Sequence, residues 1–232
     1  MIRVVCWKWD GEFQKKKGDA FKFGAEHVNR LYSMVKRHLH IPFEFCCITD
    51  EPKGIVEDVR IIPLWEDLRG LGGCYVRLKA FAPEMAEIIG PRFVWMDLDT
   101  VILRDITPII DRPEDFVMWG DTNPTTPYNG SMVLMNAGAR RQVWDKWDQD
   151  SIGRAMRLGY VGTDQAHIGA VLGTGEAMWT RKDGVYSFRC HIKREQLLRP
   201  PNDARIVFFH GSNDPSQEWT QDHWPWVREH WR

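Results

Sequence analysis

The sequence predicts an α/β protein of one domain, residues 1–232, with a mainly parallel central sheet flanked by helices. Short apolar runs alternate with amphipathic stretches along the first half of the chain, the order that builds βαβ units. With 232 residues the chain is long enough for one sizeable core. It also shows no internal repeat or low-complexity linker at which to place a domain boundary.

Six apolar runs are short enough to be buried strands. They are residues 2–7, 43–48, 59–64, 93–96, 131–135 and 206–209. Helical spacing of apolar positions predicts a helix over residues 21–39, and further helices are expected over residues 75–88 and 140–149. A last helix is expected through residue 171, with Thr163 as its cap.

Composition excludes several classes of protein. The formal net charge of -1 gives no overall field that favours nucleic acid. No run reaches the roughly 18–20 apolar residues that span a bilayer. The five cysteines, with Cys46 next to Cys47 and no CxxC pair, do not suggest a disulfide framework. A reducing cytoplasm is therefore the expected location.

Tryptophan is unusually frequent, with 12 residues, and four of them crowd residues 216–232, here called the Trp-rich segment. The rings either pack on the domain surface or form an aromatic platform for a sugar or a hydrophobic acceptor. If the acceptor is lipid-linked, the segment would contact the inner face of the membrane peripherally. Truncation after Pro215 should then abolish the association of the protein with liposomes. If the truncated protein instead loses stability but partitions onto liposomes unchanged, the segment has only a packing role.

The strongest single signal is the triplet Asp97-Leu98-Asp99, directly after the predicted strand 93–96. Two carboxylates two residues apart can converge on a hard cation such as Mg²⁺ or Mn²⁺ and leave positions for phosphate oxygens. Ligands of parallel sheets bind beyond the carboxyl ends of the strands, where this pair falls. The plain alternative is that both aspartates cap a turn and face water.

Three later segments, taken in order with this triplet, resemble the family 8-like glycosyltransferases of GT-A fold. The triplet is similar to their DxD motif, and residues 128–136 (YNGSMVLMN) to their FNSGVMLIN strand. Residues 163–165 (TDQ) resemble their xDQ segment, and residues 208–215 (FFHGSNDP) their terminal HFxGxxKPW element. The resemblance runs from about residue 2 to residue 215 and rests on the order of the elements.

This resemblance implies a metal-dependent enzyme that moves a sugar from a nucleotide donor, UDP by analogy, to an acceptor hydroxyl with retention of configuration. It implies Asp97, Asp99 and His210 as the ligands of Mn²⁺ or Mg²⁺. The residues it assigns to nucleotide binding, some by position only, are Val5, Cys6, Asp50, Arg77, Lys79, Asp97, Leu98, Asp99 and Gly211.

Asp164 and Gln165 are the candidates for the group nearest the anomeric carbon, and Asn129 is a candidate partner of the donor sugar or the acceptor. Asp164 also suits a simpler role, because an acid at a helix N-terminus is stabilised by the helix dipole. His210 could likewise be a core residue hydrogen-bonded to backbone.

The chain departs from the family pattern at Asp214, where the family has a lysine. An aspartate cannot neutralise phosphate, so Arg77, Lys79 or Lys193 would have to compensate. The basic segment 186–194 either faces the same cleft or is a surface strand.

Two other functions remain open. Asp97 and Asp99 also fit a haloacid-dehalogenase-like phosphatase, with the first as nucleophile and the second as general acid. That motif normally lies on the first strand, whereas three predicted strands precede it here. A non-catalytic protein that binds sugar nucleotides or glycans is the other alternative. No nucleic-acid partner is expected, and the sequence does not indicate an oligomeric state.

Overall fold

The structure, a computed structural model, describes residues 1–9, 23–68, 71–120, 122–148 and 150–232. In that part of the chain the strands are β1 (Ile2–Lys8), β2 (Phe43–Thr49), β3 (Arg60–Pro63), β4 (Arg92–Met96), β5 (Thr100–Ile102), β6 (Phe116–Trp119), β7 (Asn129–Asn136), β8 (Ala177–Trp179), β9 (Val185–Ser187) and β10 (Ile206–Phe208). All six predicted strands are among them.

Seven of these strands form a central sheet in the order β3-β2-β1-β4-β7-β6-β8. Neighbouring strands are parallel except in the two pairs that involve β7. The prediction of a mainly parallel sheet is thus confirmed, and β1, β2 and β4 end at the same edge. A second sheet has the order β5-β10-β9, with β10 antiparallel to β5 and parallel to β9.

The α-helices described are α1 (Ala25–His38), α2 (Met85–Ile88), α3 (Thr107–Ile110), α4 (Gln142–Asp145), α5 (Ser151–Arg157), α6 (Asp164–Leu172), α7 (Glu218–His223) and α8 (Pro225–His230). Short 3₁₀ helices span Glu66–Leu68, Tyr75–Phe81 and Arg181–Asp183, and a π-helix spans Phe188–Lys193. The predicted helix 21–39 corresponds to α1, and its first two residues lie outside the described residues.

The prediction of one helix over residues 75–88 is wrong. The segment forms the 3₁₀ helix Tyr75–Phe81 and then, separately, α2. Pro83 explains the break, because a proline pushes the preceding residue out of the helical region. Ala82 accordingly has extended backbone angles, φ -70° and ψ 147°.

The helix predicted over residues 140–149 is also wrong in extent, since only the turn α4 forms and Gln149 lies outside the described residues. Arg140 has φ 59°, which no right-handed helix accommodates. The helix after Thr163 is confirmed as α6, but the Thr163 side chain makes no capping hydrogen bond. Its Oγ1 instead accepts the N–H of Cys74 at 3.2 Å.

Two apolar clusters cover the central sheet. Val4 and Cys6 of β1 belong to one cluster, and Val5 and Trp7 to the other. Because successive strand side chains point to opposite faces, the two clusters lie on opposite faces of the sheet. The small sheet packs into the first cluster, together with Trp224, Trp226, Val227 and Trp231 of the Trp-rich segment.

Packing accounts for three of the four tryptophans in the Trp-rich segment. Trp224, Trp226 and Trp231 are 3–6% exposed and contribute to the core, whereas Trp219 is 47% exposed. Across the described ranges, no helix is both long and apolar enough to cross a membrane.

Candidate functional site

The two aspartates of the DxD-like triplet lie in a turn between β4 and β5, here called the acid turn (residues 97–99). The N–H of Asp97 donates to the carbonyl of Ser131 in β7 at 2.9 Å. The N–H of Phe209 donates to the carbonyl of Asp99 at 2.8 Å. These two bonds bring together three segments that the sequence singled out: the acid pair, the strand 128–136 and the terminal element that carries His210.

Arg77 lies against the acid turn and is almost fully buried, with 5% exposure. Its Nη1 contacts Asp97 Oδ1, and its Nη2 lies 2.8 Å from Asp164 Oδ2. Burial lowers the pKa of Arg77, but the carboxylates of Asp164 and Asp97 more than offset this and hold it above its ordinary value. The guanidinium therefore stays charged and joins the acid turn to the start of α6.

Asp164 is the most deeply buried acid of the site, at 1% exposure. Burial raises its pKa, Arg77 opposes that rise, and Asp97 adds to it. Although its Oδ2 is at ion-pair distance from Arg77 Nη2, the alignment is not that of a hydrogen bond. In the part of the chain that the structure describes, Asp164 Oδ2 and Arg77 Nε are both buried without a hydrogen-bond partner.

Gly130 allows this charged pair to lie against β7. A Cβ at that position would come within 2.9 Å of both Arg77 Nη2 and Asp164 Oδ2. The backbone of Gly130 also forms two hydrogen bonds with side chains. Its carbonyl accepts the indole N–H of Trp95 at 2.8 Å, and its N–H donates to Gln165 Oε1 at 3.2 Å. A glycine is therefore required in the middle of the segment that resembles the FNSGVMLIN strand.

Both candidate amide side chains lie next to Gly130. Gln165 bridges two backbone segments, because its Nε2 also donates to the carbonyl of Val161 at 3.3 Å. Asn129 is buried, accepts the N–H of Ser131 at 2.9 Å and donates to Thr122 Oγ1 at 3.2 Å. Asp164 and Gln165 thus lie against Gly130, and Asn129 precedes it in β7.

His210 follows β10 and lies beside Ser187, whose Oγ is 2.6 Å from His210 Nε2. Burial and the positive charge of Arg189 lower the pKa of His210 to about 4, although Asp97 pulls the other way. The imidazole is thus neutral near pH 7 and able to act as a ligand. Sequence reasoning missed Ser187, since a serine that ends a short strand carries no signal of its own.

The predicted metal ligands lie near one another without forming an assembled site. Among the described residues, no group of three His, Cys, Asp or Glu side chains is close enough to hold a metal ion. The donor set itself suits a hard divalent cation, with two carboxylates and a neutral imidazole. Burial, Asp97 and Asp214 raise the pKa of Asp99, and Arg77 only partly opposes the rise.

Several of the nucleotide-binding predictions fall away from this cluster. Val5 and Cys6 are buried in the apolar cores, and Leu98, although part of the acid turn, also buries its side chain there. Asp50 is exposed after β2. Lys79 contacts Asp67 at 3.0 Å, not the acid turn. Residues 10–22, which come soon after β1 in the sequence, lie outside the described part of the chain.

Asp214, the departure from the family lysine, is buried at 5% exposure and does not project freely from its loop. Its Oδ1 accepts the N–H of Ser216 at 2.7 Å and lies 3.4 Å from His27 Nε2 of α1. Burial raises the pKa of Asp214, but His27 and Ser216 more than offset it and leave it lowered. Asp214 therefore anchors the terminal loop (residues 210–216) to α1.

Comparison with known proteins identifies the fold. No protein-family model matches the chain, and no curated protein matches it. Solved structures do match. The galactosyltransferase LgtC, in complex with donor and acceptor sugar analogues, superposes with a TM-score of 0.60 at 12% identity, over 98% of this chain and 95% of LgtC.

Two further glycosyltransferases give the same result. GlyE of Streptococcus pneumoniae matches with a TM-score of 0.63 at 9% identity, over 100% of this chain and 62% of GlyE. The bifunctional WbbM matches with a TM-score of 0.59 at 12% identity, over 98% of this chain but 50% of WbbM. The chain has the fold of the GT-A glycosyltransferases, as the sequence predicted.

Proposed function

We propose that the protein is a metal-dependent glycosyltransferase that moves a sugar from a nucleotide donor, UDP-linked, to an acceptor hydroxyl with retention of configuration. The proposal places the donor at the cluster formed by the acid turn, Arg77 and Asp164. Support comes from the fold and, within it, from one local observation.

That observation is the pair of unsatisfied buried atoms, Arg77 Nε and Asp164 Oδ2. Leaving a buried polar atom without a hydrogen bond costs on the order of 1–3 kcal/mol. A sugar hydroxyl both donates and accepts. A sugar hydroxyl admitted by a shift of these two side chains could donate to Asp164 Oδ2 or accept from Arg77 Nε, so a sugar suits this site better than an apolar ligand does.

The acid turn and the terminal loop would hold the cation. Asp97 and Asp99 would bind it through oxygen, with His210 as the third ligand, and its chemistry would be to neutralise charge on the departing diphosphate. Near pH 7 His210 carries no proton that would block this role. Arg77 would hold Asp97 in place through their ion pair.

The residues around Gly130 would orient the reacting groups. Gln165 and Asp164 would lie nearest the anomeric carbon, and Asn129 would contact the donor sugar or the acceptor. Existing hydrogen bonds fix the side chains of Gln165 and Asn129 before any ligand arrives, and such preorganisation is worth several kcal/mol in catalysis. The acceptor would be a glycan or another hydroxyl compound.

A panel of UDP-sugars tests this function, with release of UDP measured by mass spectrometry in the presence of Mn²⁺. At least one sugar should be turned over by the natural sequence, and Asp164→Asn should lose most of that activity. Asp67→Asn is the matched control, because Asp67 is 61% exposed and pairs with Lys79 away from the site. UDP binding without turnover of any donor would favour the non-catalytic alternative.

A further inference from the structure

The terminal loop exposes backbone next to an arginine. Gly211 is exposed and has φ +92°, a conformation that other residues rarely adopt. A Cβ placed on Gly211 would lie 3.6 Å from Arg189 Nη1 and 3.9 Å from Arg189 Cδ. The side chain of Arg189 therefore lies alongside the loop that carries His210.

The π-helix Phe188–Lys193 fixes the position of this arginine. Phe188 is fully buried and stacks on Phe209, with ring centroids 4.1 Å apart. Ser187 caps the π-helix by accepting the N–H of Cys190 at 3.0 Å. Because its neighbour Phe188 is anchored in the core, the backbone of Arg189 is held in place while its side chain is exposed beside the terminal loop.

The other basic side chains considered for this role are committed elsewhere. Arg77 contacts Asp97 and Asp164. Lys79 contacts Asp67 at 3.0 Å. Lys193 donates to Asn213 Oδ1 at 3.0 Å, and its Nζ lies 5.3 Å from the ring centre of Trp219.

Arg189 differs from them. Its guanidinium makes no hydrogen bond or ion pair with any residue that the structure describes. Asp97 and Asp214 act electrostatically on Asp99, and this group of carboxylates would repel a phosphate. An anion at the exposed face of Gly211 would need an available cation, and the guanidinium geometry suits phosphate oxygens.

We propose that Arg189 is the residue that binds the diphosphate of the nucleotide donor, beside Gly211 and His210. The proposal rests on the proposed function and adds to it the source of the positive charge. Arg189 of the π-helix carries that charge, while Asp214 serves only to hold the terminal loop against α1.

Calorimetric titration of UDP and of uridine, in Mn²⁺, tests the assignment on Arg189→Gln and Arg189→Lys. Loss of one charged hydrogen bond should weaken UDP by about tenfold or more. Uridine, which has no phosphate, should bind both variants as it binds the natural sequence. The lysine variant should recover part of the UDP affinity, since it restores charge without the planar fork.

Arg194→Gln is the matched control, because Arg194 is an exposed arginine that ends the same π-helix. UDP affinity equal in Arg189→Gln and Arg194→Gln would overturn the assignment, and so would an equal loss of UDP and uridine binding. If the natural sequence binds no UDP, the proposed function fails first. If the natural sequence binds UDP and Arg189→Gln binds it equally well, the role of Arg189 is refuted while the proposed function stands.

Discussion

Arg77 lies between the carboxylates of Asp97 and Asp164 with almost no access to water. Removing one member of such a buried pair leaves the remaining charges without compensation. The same contacts that stabilise the acid turn would also position the donor sugar, so stability and binding depend here on the same atoms.

We expect Arg77→Met to lower the free energy of unfolding by about 3–5 kcal/mol, because it leaves two carboxylates without their cation. Lys79→Met is the control on the same 3₁₀ helix. Its partner Asp67 is largely exposed, so the loss there should be at most about 1 kcal/mol. Urea unfolding followed by tryptophan fluorescence measures both, and equal losses would show that the Arg77 contacts add nothing.

Gly130→Ala tests the close packing of the charged pair. Its Cβ would lie 2.9 Å from both partners, so the pair must shift, at a cost of about 1–3 kcal/mol. Donor binding should weaken with it. Gly175→Ala is the control, since a Cβ there meets nothing within 4 Å. Thermal unfolding and UDP-sugar titration of the two variants give the comparison.

His210 predicts a specific dependence of stability on pH. Its pKa is about 4 in the folded protein against 6.5 ordinarily. Between these values the unfolded chain binds a proton that the folded protein does not, so the free energy of unfolding falls as pH drops, by up to about 1.4 kcal/mol per unit.

His210→Gln should remove this contribution. Asp99 and Asp164, whose pKa values are raised, contribute in the opposite direction, but they are present in both proteins and cancel in the difference. Urea unfolding from pH 7 to pH 4, with EDTA to exclude divalent cations, measures it. Parallel curves for the two proteins would mean that His210 does not titrate as described.

At the scale of elements, the Trp-rich segment completes the core. The ring of Phe188 lies edge-on to Trp224, with centroids 4.7 Å apart, and Phe209 packs near Trp226. We therefore expect truncation after Pro215 to unfold the protein, which would mask any effect on membranes.

Single substitutions separate the packing role of this segment from its proposed role in membrane contact. Trp226→Ala should cost about 3–5 kcal/mol, whereas Trp219→Ala, at a half-exposed position, should cost less than about 1 kcal/mol. Trp219→Ala is also the variant for the peripheral-membrane proposal, since it leaves the fold intact. Unchanged liposome partitioning in that variant would leave the segment a packing role only.

Six of the described strands could be predicted from sequence because each is a short apolar run, and all but β3 are largely buried. The short strands β5, β6, β8 and β9 were not predicted. The extent of a helix is harder to predict where a proline or a positive φ angle interrupts the apolar pattern. Pro83 divides the segment 75–88 even though its apolar spacing is helical. Arg140 adopts a positive φ while pairing with Asp115 and Glu176, a long-range arrangement that periodicity does not reveal.

At the scale of the whole molecule, the order of four motifs predicted the fold, and topology explains why. β4, β7 and β10 are far apart in sequence, yet backbone bonds from Asp97 and Phe209 join the acid turn to the other two segments. What the sequence could not predict are contacts between side chains that lack a local pattern. Ser187 with His210, His27 with Asp214 and Arg189 beside Gly211 are of this kind.

The central claim is that the acid turn and its surroundings bind a nucleotide diphosphate together with a divalent cation. Calorimetric titration of UDP with and without Mn²⁺, on the natural sequence and on Asp99→Asn, tests it most directly. We predict binding that requires Mn²⁺ and is lost in the variant. Failure of the natural sequence to bind UDP with any divalent cation, or binding unaffected by Asp99→Asn, would contradict the account.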